Sequence, residues 1–460
     1  MNFFQPNSIS FNSTRLNFGN LNFIRFALKF STALILSATL MSALNAKGLD
    51  EAIKNVDVSG VLRYRYEAAS WGKDASLNGN FGENRYGILD SNAPHRFRAF
   101  VSTAIDAGDG FKVIGQLMYN DDTNGGWARD AQSALTTTKQ AVVLKQAYLR
   151  YDLADIGISL LLGKQELGTI WTDDFTGIAA KVLINPTDGL SFAAFAVDSF
   201  EGESGDVDAA KIGSNGAYDN NLYGVALMAG IAGFDAQIWG AYWDKVATLY
   251  AANLKYTLVF GGNHKVGAKA TYLGSVVASD FKERNDEFGN AELIDGRLFG
   301  EFGGLDMRVG GIFFGDKKKT TFNTIEDTTG ADLYIGREMF YADKTALVFA
   351  DGQSAFGYVG VGYTLGANVR VGVQGVFGKN TQELDDFQSA MYADLDELED
   401  TRYEAVFELG WQANEDLSFE GWYSYLNSTT KKAKYPLDAT NTEDLKQNKQ
   451  TIRLQAKYKF

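Results

Sequence analysis

The last ten residues, 451–460, alternate without a break. Ile452, Leu454, Ala456, Tyr458 and Phe460 fall on one side of an extended strand, and Arg453, Gln455, Lys457 and Lys459 on the other, because strand side chains alternate with period two. A strand that is apolar on one face, cationic on the other and closed by an aromatic residue suits a sheet standing between lipid and water. The first candidate strand repeats the pattern: Val56, Val58, Gly60, Leu62, Tyr64 and Tyr66 share one face, and Asp57, Ser59, Arg63, Arg65 and Glu67 the other. First and last strands with the same pattern are what a closed barrel needs, since they must pair to abolish the free edges.

Composition excludes the main alternatives. A chain of 460 residues that is 45% hydrophobic with slightly negative mean hydropathy lacks the repeated uncharged runs of a helical membrane protein. The single such run, 30–46, follows Arg15, Arg25 and Lys29 and ends at Ala46, the layout of a secretory signal peptide. Residues 1–46 are expected to be removed, leaving a mature domain at 47–460, and the long lead before the run points to a start downstream of Met1. Removal deletes three positive charges and no acids, taking the net charge from −14 to −17. An acidic chain disfavours nucleic acid and favours cations as partners. No Cys and only 2 His leave no disulfide, no thiolate site and no His-rich metal centre.

The remainder reads as all-β: 18 strands, among them 144–152, 305–314, 355–365, 403–413 and 416–427, separated by turn chemistry. Gly/Asn/Asp-rich links such as 106–110, 153–155, 185–189, 303–304 and 414–415 are tight hairpins, as their positive-φ residues allow. They alternate with long polar stretches, including 68–92, 120–143, 199–219, 274–293, 315–354 and 379–402; the link 243–245 breaks the rule by being short. Tight turns alternating with long loops is the outer-membrane pattern, and 16–18 strands leave an aqueous channel. A soluble sandwich or propeller explains neither the export signal nor the terminal aromatic. Trp239, Tyr242, Trp243, Trp422, Tyr423 and Tyr425 are expected in interfacial girdles.

Particular strings then resemble a known family. Residues 51–66 (EAIKNVDVSGVLRYRY), Gly163-Lys-Gln-Glu-Leu, Ile170-Trp-Thr-Asp, the run 188–200, Ala241-Tyr-Trp-Asp-Lys-Val-Ala, the run 356–365 and the closing Leu454-Gln-Ala-Lys-Tyr-Lys-Phe resemble the Campylobacter-type major outer membrane protein, a general porin. The resemblance spreads over 50–460 and is strongest in the strands. It implies an 18-stranded homotrimer with an inward-folded third external loop, a preference for cations and, in some members, host adhesion. An adhesin or structural barrel that binds through its surface loops is the competing functional class.

Following the alternation, Arg63, Arg65, Arg96, Arg98 and Arg150 point inward from neighbouring strands. They are read as one basic patch at the constriction, beside the plain reason that charges avoid lipid, where each costs about 2–4 kcal/mol at mid-bilayer. The segment 165–177 follows the fifth strand and is the third external loop; Glu166, Asp173 and Asp174 would face the arginines across the lumen, and rings of acids favour cations. The resemblance further implies a divalent cation in the lumen, for which Asp174, Asp208 and Glu326 carry over by position, as hard oxygen ligands suited to Ca²⁺. No cofactor is required. The acidic run 383–399 reads as a solvated external loop, with lipopolysaccharide bridging as the lesser reading. His95 and His264 sit at strand edges without a nucleophile to activate, and Gly157 to Lys164 misses phosphate-loop spacing; no enzyme is expected.

Overall fold

The computed structural model describes residues 56–71, 95–121, 142–172, 174–200, 217–262, 264–326, 330–333, 336–339, 342, 344–348, 350–366, 368–385, 389, 395–432 and 443–460. The expected signal peptide, the candidate ligand Asp208 and Asp173 lie outside the described residues.

Eighteen strands follow one another around a ring. They are β1 (Val56–Trp71), β2 (His95–Gly108), β3 (Phe111–Asp121), β4 (Val143–Leu153), β5 (Ile158–Glu166) and β6 (Thr176–Thr187). The next are β7 (Leu190–Phe200), β8 (Leu222–Ile231), β9 (Phe234–Trp243), β10 (Ala247–Phe260), β11 (His264–Val277) and β12 (Ala291–Phe302). The last are β13 (Leu305–Thr321), β14 (Ala350–Leu365), β15 (Val369–Glu383), β16 (Glu397–Gln412), β17 (Leu417–Thr430) and β18 (Leu445–Lys459). A short helix, α1 (Ser279–Arg284), sits in the connection between β11 and β12. Every neighbouring pair is antiparallel, and β1 pairs with β18, so no edge remains.

Closure is set residue by residue. Leu62 lies opposite Tyr458, Arg63 opposite Lys457 and Tyr66 opposite Leu454, so the apolar halves of both end strands share the outer face. The Gly60 amide donates to the Phe460 carbonyl at 2.9 Å, and the Phe460 amide returns the bond at 3.1 Å. A Cβ at position 60 would stand 2.2 Å from the Phe460 ring, which is why the terminal aromatic needs a glycine beneath it.

The outward positions form the apolar belt that the alternation predicts. Val225 and Leu298 are each 60% exposed and Phe377 63%, tolerable only where hydrocarbon replaces water. Tyr242 and Tyr423 are exposed on this belt, but Trp239, Trp243 and Trp422 are buried. The girdle expectation is therefore corrected for the three tryptophans. Parity turns them inward: Trp243 Nε1 donates to the Asn220 carbonyl at 3.2 Å, and the Arg453 guanidinium lies 4.8 Å from the Trp422 ring centre.

One rim carries the tight turns and the other the long connections, with 244–246 the short exception between β9 and β10. Several strands run further toward the long-connection rim than the alternation indicates. β13 continues to Thr321 across a bulge between Asp316 and Thr320, and β14 begins at Ala350. Past the lipid belt both strand faces meet water, so the apolar alternation disappears while the hydrogen-bonded ladder continues.

A second apolar core lies against the inner wall. Leu167, Ile170, Trp171 and Phe175 of the β5–β6 connection and Phe322, Ile325, Met339 and Val348 of the β13–β14 connection are buried in one cluster with Trp243 of β9. Ring pairs Trp171–Trp239 and Trp243–Phe322, each 6.1 Å apart, tie the two segments to β9.

Candidate functional site

The inner wall at β18, β1 and β2 is built from cations in register. Lys457 lies opposite Arg63 and Arg63 opposite Arg98; one step along, Gln455 lies opposite Arg65 and Arg65 opposite Arg96. Like charges directly opposite destabilise a sheet, so acids and amides are interleaved. Arg453 pairs with Glu67, and Arg65 Nε donates to Gln455 Oε1 at 2.8 Å. Glu67 and Arg453 are members of this wall that the sequence reading left out, although both share the inward parity of Arg63 and Arg65.

Register separates Arg150 from that group. It lies opposite Lys112, and Lys112 opposite Asp106; Asp106 is eight residues from Arg98, about 26 Å along the strand. Its guanidinium is held by Asp152 at 2.8 Å, near the tight-turn rim. Four arginines stand together and the fifth does not.

Facing the basic wall is Asp174 of the β5–β6 connection. Its carboxylate is 3.8 Å from Arg98 and 3.3 Å from Lys145. Lys145 was missed because simple parity sends it outward with Leu149. A bulge between Gln116 and Leu117 of β3 leaves it without an opposite partner, and it is buried against Asp174 and within 5.5 Å of the Phe100 ring centre. Burial alone would push the Asp174 carboxyl up; Lys145, the Glu326 hydrogen bond and Arg98 outweigh it and hold the group below the usual carboxylate range. Glu166 is placed differently. It accepts from Gln146 at 3.0 Å, and Gln146 donates also to Gln116, which donates to Ser102. Glu166 thus ends a lateral polar ladder on the wall.

The β13–β14 connection makes the larger set of wall contacts. The amides of Ile325 and Gly330 donate to Trp171 and Thr172 carbonyls at 3.0 Å, joining it to the Asp174 segment. The Glu326 carboxylate accepts from the Phe175 amide at 3.3 Å. Lys269 and Arg297, opposite each other on β11 and β12, both bond Asp332, at 3.1 and 2.6 Å. Burial opposes charge on Asp332, and the two cations overcome it, keeping its carboxyl below the usual range. Further along, Arg337 pairs with Glu408 and Glu338 with Lys449 at 2.8 Å. These wall partners sit at alternate positions in strings such as ELIDGRLFG and RYEAVFELGW, so their inward direction was legible; their partners were not.

The model of the Campylobacter major outer membrane protein family matches residues 22–460. The chain belongs to this family. It is an outer-membrane porin, a multi-pass barrel in the bacterial outer membrane, and family and fold point to a channel rather than an enzyme. No curated protein matches the sequence. Solved structures of similar fold include OccK9 (OpdG) of Pseudomonas aeruginosa, with a TM-score of 0.61 at 13% identity over 89% of this chain and 100% of that one. OprD of Pseudomonas aeruginosa gives 0.60 at 13% over 91% and 95%. OccAB3 of Acinetobacter baumannii gives 0.59 at 12% over 89% and 100%. At these identities the likeness is one of fold.

Proposed function

We propose that this porin is a general diffusion channel, mildly cation-selective, passing ions and small hydrophilic solutes through a lumen bordered by the β18–β1–β2 cations and by Asp174 lying against them. The observation that carries the reading is the placement of Asp174, half-exposed and bonded to Lys145 and Arg98 on the inner face. An acid held charged beside a basic wall sets a field across the permeation path, and a mature charge of −17 adds a long-range bias toward cations. Reversal potential in a salt gradient, for wild type and Asp174→Asn, tests it. A shift toward zero in the variant supports the assignment, and an anion preference in wild type overturns it. The adhesin alternative predicts no stable open steps in a planar bilayer.

The same region supports the Ca²⁺ proposal. Glu326 lies within interaction range of Asp174, so two of the three carried-over carboxyls converge, the donor set a hard cation takes; Lys145 beside them competes for the charge. Among the described residues no cluster of three or more metal-ligating side chains is formed, and Asp208 lies outside them. Binding would raise the thermal midpoint with Ca²⁺ concentration, an effect that Asp174→Asn should abolish. The homotrimer rests on the family resemblance, and the lipopolysaccharide contact on the acidic run 383–399. For the second, Lys379 and Lys431 pair with Glu399 at the long-connection rim, so the acidic run is partly neutralised there.

A further inference from the structure

We propose that Glu404 is a positioning residue for permeation: it clamps the β13–β14 connection across the lumen and thereby sets the width of the pore. The proposal rests on the porin reading and concerns contacts separate from those of Asp174 with Arg98 and Lys145.

Glu404 is buried on the inner face of β16. Its Oε1 accepts from the backbone amides of Arg337 at 2.9 Å and Glu338 at 3.0 Å and from Ser424 Oγ at 2.7 Å, and its Oε2 accepts from the Met339 amide at 3.1 Å. Three successive amides turned toward one point form a concave anion site of the kind usually filled by phosphate or another bound anion. Here the occupant is a side chain of the barrel wall. Gly336 opens the turn at φ 65°, and a Cβ there would fall 1.9 Å from Glu404 Oε2. The glycine supplies both the left-handed conformation and the room for the carboxylate.

The clamp acts on a segment held at both ends. Asp332 is fixed by Lys269 on β11 and Arg297 on β12. Six residues later Glu338 is fixed by Lys449 on β18, next to the Glu404 site. β12, which carries Arg297, and β18, which carries Lys449, stand six strands apart in a ring of eighteen. Strands about 4.8 Å apart and tilted about 40° enclose a ring of about 18 Å radius, so the chord between them is about 31 Å. Six residues reach about 20 Å at most, and inward Lys, Arg and Glu side chains make up the remainder. A connection this short across such a chord has little slack. It stays over the lumen while both ends hold, and swings toward one wall when one end is released.

The test uses full-length protein refolded or purified in detergent, with Glu404→Gln, Glu404→Ala and Gly336→Ala. Glu404→Gln keeps one acceptor oxygen but sets an amide N–H against the Met339 N–H. Gly336→Ala attacks the same contact from the connection and leaves the barrel strands untouched. Two readouts are taken: single-channel conductance, and trypsin cleavage after Arg337 and Lys344, the latter buried in the wild type. The expected result is several-fold faster cleavage at these sites together with larger, noisier open-channel currents, graded from Gln to Ala and reproduced by Gly336→Ala. Wild-type conductance and wild-type protease resistance in Gly336→Ala and Glu404→Gln overturn the proposal, as does faster cleavage with unchanged current. A wild-type protein that shows no channel steps removes the porin reading instead, and the cleavage data still report on the clamp.

Discussion

At the scale of single residues, the fold depends on where one atom can or cannot go. Gly60 is the sharpest case, since the Phe460 ring occupies the space a Cβ would need. Gly60→Ala is expected to lower barrel stability by about 1–3 kcal/mol, the usual cost of overpacking, seen as an earlier midpoint in urea unfolding. Asp174 makes a prediction about pH. Its folded-state carboxyl is depressed, because Lys145, Glu326 and Arg98 together outweigh burial. Its contribution is therefore complete above the ordinary carboxylate value of about 3.9 and is lost only as pH falls through the lower folded value. Reversal potentials should stay flat from pH 7 to 5 and move toward anions only below about pH 4; drift already at pH 6 would contradict the ion pairs. Parity made the direction of Arg63, Arg96 and Glu404 readable in advance. Lys145 was unreadable, because a bulge shifts which face a residue takes and leaves no trace in a period-two pattern.

At the scale of elements, strands with clean alternation were legible and their extensions beyond the lipid were not. The stretch Asp316 to Thr321 carries Lys317, Lys318 and Lys319 in a bulge whose flanks, Asp316 and Thr320, pair with Gly352 and Asp351, and only that ladder, not polarity, makes it a strand. The basic wall is likewise a property of register. Arg65 and Arg96 are 31 positions apart in the chain and directly opposite in the sheet. Like charges so placed cost about 0.2–1 kcal/mol, so the double replacement Arg65→Gln/Arg96→Gln should leave stability unchanged or raise it by that amount. The same variant should increase cation preference in bilayer recordings. A loss of stability would mean that these side chains are structural instead.

At the scale of the whole molecule, one arrangement answers both solvents: hydrocarbon outside, water inside, with no edge between the first and last strands. Placing Arg at Leu298, 60% exposed on the outer belt, should cost about 2–4 kcal/mol if that position lies near mid-bilayer. The measurement is unfolding in lipid vesicles, where the penalty should exceed that in detergent. The eighteen strands and the direction of their inward charges, Lys145 apart, follow from the chain alone, because period-two alternation is local and needs only adjacent residues to see different solvents. Which inward charges meet follows only from tertiary structure. Register around the ring put Arg63 beside Arg98 and carried Arg150 away. Chain folding within the lumen brought Asp332 to Lys269 and Glu404 to the Arg337–Met339 amides. Those contacts link residues more than sixty positions apart, and a local pattern holds no information about so distant a neighbour.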